Sequence, residues 1–209
     1  METHAISSFW TWFAGKDANL RSIRDADDPF WSTALSQLRQ IHPALRFELS
    51  GPIHSIDETD GTRDWILTVE GNTSLFALVD EVIAAAPELP GWNLVALKPA
   101  MGFDFVTTYE GIRFDPKLIW FMPLKFENSP SDLGLRIAVP GFTEDARRIT
   151  QSALMIMIET GLGERAAALD IQHFQIGTLP SEPESAGYIE LPELAPYIAW
   201  RKRQLQNPS

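Results

Sequence analysis

Apolar residues along this chain follow two periods, and the order in which the periods alternate is written twice. RDWILTVEGNT, residues 63–73, is a β-rich run that stops at Gly71 and opens a helical pattern at Thr73. DLGLRIAVPGFT, residues 132–143, does the same at Gly141 and Thr143. Each run follows another apolar segment, ALRFELSG or LIWFMPLKF, and precedes an amphipathic helix and a strand ending at Pro99 or Pro180. The order strand, strand, helix, strand therefore occurs twice. It predicts an α+β fold built from two ferredoxin-like (ββαβ) pseudo-repeats with antiparallel sheet, flanked by N-terminal and C-terminal helices.

The elements follow from the same pattern. Residues 6–23 predict an aromatic-rich helix with an internal Gly15, and residues 30–42 a second helix in which Phe30, Trp31, Ala34, Leu35, Leu38 and Ile41 share one face. Thr73 is the expected N-cap of a helix in which Leu75, Phe76, Val79, Val82, Ile83 and Ala86 share one face, and Thr143 opens one with Glu144 and Asp145 in its first turn and Ala146, Ile149, Ala153 and Met157 along its buried stripe. LPELAPYIAWRKRQLQ reads as a closing helix interrupted at Pro196. These elements assemble into a single α+β domain over 1–209. Its parts are N-terminal helices (1–43), a first ββαβ half (44–99), connecting strands (100–117), a second ββαβ half (118–180), and a loop with the C-terminal helix (181–209).

Composition narrows the chemistry. The chain is 44% hydrophobic and 11% aromatic, which supplies a core and excludes disorder as the main state. It contains no cysteine, so disulfides, thiolate zinc sites, iron–sulfur clusters and cysteine nucleophiles are excluded. The four histidines, His4, His42, His54 and His173, are scattered, so no metal and no cofactor are expected. Phosphate loops, dinucleotide fingerprints and a nucleophile elbow are absent. The opening METHAISSFW lacks a basic segment followed by an apolar one, and no stretch approaches a membrane span, so the expected location is the cytoplasm, with no membrane partner.

With 17 basic and 28 acidic residues the net charge is -11, a field that repels a phosphate backbone; no nucleic acid is expected as a partner. Residues 51–100 hold eight acidic and only two basic side chains, and the turn carrying Asp57, Glu58 and Asp60 is a candidate acidic interaction patch for a basic protein partner. A solvated, solubilising surface is the bland reading of the same residues. Arg201, Lys202 and Arg203 sit where cations meet a helix C-terminus and need no ligand.

Asp104 lies between Phe103 and Phe105. Desolvation between the rings would raise its pKa and suit it to proton transfer, whereas strand alternation would send both rings to the core and Asp104 to solvent. Asp104, Glu110 and Trp120 mark a candidate cleft between the repeats; no catalytic residues are assigned. Trp120 belongs to IWFMPLKFE, a strand apolar on both faces and so covered on both.

FWTWF, AAPELPGWNLVALKP, IWFMPL, LGLRIAVPGFTE and LPELAPYIAWRKR together resemble an uncharacterised family of bacterial cytoplasmic proteins of about this length, a likeness spanning nearly the whole chain. The family implies no activity, substrate or site residues. A fainter similarity, in fold class and charge, is to small acidic α+β proteins that bind and regulate other proteins. The expectation is a non-enzymatic protein-interaction or regulatory protein with an acidic surface. The alternative is an enzyme or small-ligand binder with a cleft between the two repeats. Oligomeric state is left open.

Overall fold

Residues 2–50, 62–126 and 128–206 are described by the computed structural model. The aromatic-rich start forms two helices, α1 (Glu2–Ala14) and α2 (Asp17–Ser22), where one was expected. The break falls at Gly15 and Lys16, since an internal glycine costs a helix about 1 kcal/mol relative to alanine. In α3 (Pro29–Leu38) the Asp28 carboxylate accepts from the Phe30 N–H at 2.8 Å and proline takes the first position, where its missing N–H has no partner to lose.

The fold is mixed α+β and divides into two compact units, Met1–Lys98 and Pro99–Ser209. In the first unit β1 (Arg46–Ser50) pairs antiparallel with β2 (Arg63–Thr68), α4 (Phe76–Ala84) follows, and β3 (Trp92–Ala96) pairs parallel with β2. In the second, β6 (Trp120–Leu124) pairs antiparallel with β7 (Gly134–Val139) and β8 (His173–Thr178) parallel with β7. α5 (Arg147–Leu162) and α6 (Glu164–Asp170) lie between β7 and β8 in the chain. Both sheets are thus mixed, where antiparallel sheet was expected. The helix after the second strand is a crossover, and a crossover returns the chain in its starting direction. The second unit adds a hairpin, β4 (Thr107–Tyr109) with β5 (Ile112–Phe114), a short β9 (Ile189–Glu190) on the free side of β6, and α7 (Leu194–Gln206).

An aromatic cluster fills the first unit. Phe13 meets the edges of Trp65 and Trp92 at 4.9 and 5.2 Å, and Trp65 stacks on Phe47 at 4.0 Å. Arg63 is buried beside it and donates to the Leu20 and Arg21 carbonyls, at the negative end of α2. Burial, followed by the charges of Arg24 and Arg21, holds its pKa below the usual arginine value. Asp17 accepts from the Trp92 indole at 2.6 Å, while Arg21 lies over the Trp92 ring and donates to the Pro90 carbonyl.

The second core joins Phe121, Leu135 and Ile137 of the sheet to Ala153, Leu154 and Met157 of α5 and Leu194 and Ile198 of α7. The C-terminal end of α5 leaves carbonyls without intrahelical donors. Met101 N–H and Gly102 N–H supply two, to Thr160 and Gly161 at 2.9 and 3.2 Å. Gly161 lets the Phe103 ring sit directly on the helix backbone: a Cβ there would be 2.2 Å from the ring. α7 is continuous through Pro196, contrary to the expected interruption. Proline is its third residue, still in the first turn where the N–H is unpaired in any case.

Candidate functional site

The large hydrophobic side chains left exposed among the described residues all fall in residues 101–205, within the second unit. Its roomiest described concavity, about 500 Å³, lies between α7 and the end of β6 with the loop that follows. β9 pairs only with Trp120 and Phe121, so β6 has no strand neighbour on that side from Met122 onward. Pro123 is tolerated in that edge-like setting. The Tyr197 ring packs edge-on against Phe121 at 5.6 Å, which brings α7 beside the strand.

Leu194 and Ile198 form the buried stripe of α7, one helical turn apart. Next to it, Tyr197, Trp200, Arg201, Gln204 and Leu205 recur at three- and four-residue steps and form one wall of the groove. Trp200 is 49% exposed and Leu205 46%. Leu124, Phe126 and Leu133 line the floor and the facing wall. Phe126 is held there because Gly134 has no side chain, a Cβ meeting the ring at 2.8 Å, and its other neighbour is the His173 ring at 4.4 Å. The Arg201 guanidinium donates to the Pro130, Ser131 and Asp132 carbonyls at 2.8, 3.1 and 2.8 Å, tying the turn over residues 130–132 to α7. Burial raises the Tyr197 phenol above its ordinary pKa, with the Arg201 charge opposing.

Asp104 is solvent-exposed, with Phe103 buried and Phe105 half-buried, the expected in-and-out order, but the segment is not the expected strand: β4 begins only at Thr107. Its carboxylate accepts from Lys117 Nζ at 2.7 Å, and that bond, then the lysine charge, holds its pKa below the usual aspartate value. Glu110 occupies the β4–β5 turn at φ 46° and pairs with Arg148 at 3.4 Å. Trp120 is half-buried in β6 opposite Ala138 and Glu190. The structure joins these three to separate partners, and none lines the groove. Asp57, Glu58, Asp60 and His54 lie outside the described residues. Of the other histidines, His42 Nδ1 accepts from the Ala44 N–H, and His4 and His173 are exposed. No group of three His, Asp or Glu side chains able to hold a metal occurs among the described residues, and none of their helices is long and apolar enough to cross a membrane.

A smaller concavity, about 150 Å³, opens beside the β5 end and the start of α5, lined by Arg113, Phe114, Ile119, Phe142 and Thr150 among others. The groove residues on α7 were not singled out from the sequence. A signal was present: Leu194, Tyr197, Ile198, Trp200 and Leu205 form an apolar sector wider than one buried stripe. No family model matches the chain, and neither a curated protein nor a solved structure is similar to it.

Proposed function

We propose that this is a non-enzymatic protein-interaction or regulatory protein, and that the α7 groove is its working surface. One observation carries the reading. A single concavity collects Trp200, Tyr197 and Arg201, the three residue types most enriched at the energetic centres of protein interfaces, around an apolar floor. The polar groups expected to converge in a small-ligand site are few, and Arg201 already serves three backbone carbonyls. The carboxylates with shifted pKa values, Asp104 and Glu144, are exposed and ion-paired, and their shifts run opposite to those that tune a general acid.

The finer architecture belongs to the same proposal. A hairpin followed by a parallel crossover strand in each unit supports two ferredoxin-like ββαβ pseudo-repeats. Kinship with the bacterial family the sequence resembles, and a cytoplasmic setting, belong to the proposal on sequence grounds alone. A basic partner for the segment carrying Asp57, Glu58 and Asp60 is supported by charge.

A photo-crosslinking residue placed at Trp200, and separately at exposed Gln40 as control, tests the interaction reading in the source cell. A discrete adduct with one protein from position 200, missing from position 40, is expected. The same products from both positions, or none from position 200, would overturn it.

A further inference from the structure

We infer that the α7 groove takes a peptide segment of a partner protein in which apolar anchors are flanked by carboxylates. This rests on the interaction reading above and adds the chemistry of the occupant. The groove is a local exception in an acidic protein. The chain carries 28 acidic and 17 basic residues, yet the described residues lining the groove include two cations, Lys125 and Arg201, and no carboxylate. Glu127 lies outside the described residues. An apolar trough of this kind holds aromatic or aliphatic side chains, and its rim charge selects the residues that flank them.

The position of the carboxylate follows from the neighbours of each cation. Arg201 donates to three carbonyls, and the C-terminal end of α7 carries the negative end of the helix dipole. An incoming carboxylate is disfavoured along that end. Lys125, on the opposite wall, is exposed and enters no ion pair or side-chain hydrogen bond among the described residues. The peptide acid is therefore placed against Lys125, with apolar anchors between Leu124, Phe126, Trp200 and Leu205. The concavity is neither sealed nor flat, and a groove that is partly open admits a side chain from a passing peptide segment.

The test is selection of a phage-displayed random peptide library on the intact protein, followed by anisotropy titration of the enriched peptides as synthetic, labelled probes. Enriched sequences with aromatic or aliphatic anchors and an excess of Asp and Glu are expected. Trp200→Ala and Lys125→Glu should each weaken their binding at least about tenfold. Lys16→Glu, an equal change of net charge at an exposed site that does not line the groove, should leave it within about twofold, because a charge outside the contact acts only through a field that salt screens. Lys125→Met, which keeps the apolar stem, separates lost charge from a perturbed loop and should also weaken binding. Enriched peptides that are basic or neutral but still require Trp200 would overturn the acidic occupant and leave the interaction surface standing. No enrichment, or binding indifferent to Trp200→Ala, would overturn both.

Discussion

Gly161→Ala should destabilise the second unit even though the same exchange inside a helix ordinarily stabilises it. Alanine is favoured over glycine in a helix interior by about 1 kcal/mol. Against this, a Cβ at position 161 would sit 2.2, 2.3 and 2.7 Å from three atoms of the Phe103 ring, where ordinary contact begins at 3.4 Å. The ring must retreat by more than 1 Å. It is 6% exposed within the second core, and its backbone neighbours Met101 and Gly102 are tied to Thr160 and Gly161, so it has little room to do so. Overpacking of this kind costs roughly 1 to 3 kcal/mol, which leaves a net loss of about 1 kcal/mol after the propensity gain. Hydrogen exchange of amides in α5 reads the effect locally and does not require the whole chain to unfold in one step. Phe103→Ala alone should cost about 3 to 5 kcal/mol. In that background Gly161→Ala meets no ring and should stabilise by about 1 kcal/mol. The change of sign between the two backgrounds is the diagnostic. If Gly161→Ala stabilises α5 equally in both, the ring does not rest on the helix as described and the reasoning fails.

Two further outcomes follow from local geometry. Gly91 adopts φ 76° and a Cβ there would lie 2.3 Å from the Arg21 guanidinium, whereas Gly141 adopts φ 66° with open space around it. Gly141→Ala should therefore cost only the left-handed strain of about 1 to 2 kcal/mol, and Gly91→Ala more, by thermal unfolding, with the excess removed in Arg21→Ala. Asp104 and Glu144 are held below their ordinary pKa values by hydrogen bonds from Lys117 and Arg147. Because the folded values lie below the unfolded ones, their contribution is complete above the unfolded carboxylate range and is lost as pH falls through the folded values. Carbon-detected NMR titration should show Asp104 returning toward its ordinary value in Lys117→Met; an unchanged titration would show that the pair does not form in solution.

The helices and the order of strands were legible in the chain because burial writes its period directly. Of the faces read from spacing, Phe76, Val79 and Val82 of α4 and Ala153 and Met157 of α5 are buried, whereas Leu75, Ile83, Ala86, Ala146 and Ile149 are only half-buried. Sheet direction was misread because strand patterning does not distinguish parallel from antiparallel pairing; the intervening helix does, and it was already visible in the pattern. Asn72, one residue before the expected cap, accepts from the Ser74 N–H, a choice between adjacent cap-forming residues that depends on backbone angles. The Asp104 alternation was readable from a three-residue window. The groove was not, because Trp200 is far in the chain from Leu124 and Phe126 and shares a concavity with them only in the folded unit.

The central claim is that Trp200 anchors a protein partner. Calorimetric titration of the protein captured at position 200 against wild type and Trp200→Ala tests it most directly. The account predicts a negative heat-capacity change for wild type, from burial of apolar surface. It also predicts an affinity loss of at least about tenfold in Trp200→Ala, equivalent to about 1.4 kcal/mol, with a smaller heat-capacity change. Equal affinity and heat-capacity change for the two proteins would contradict it.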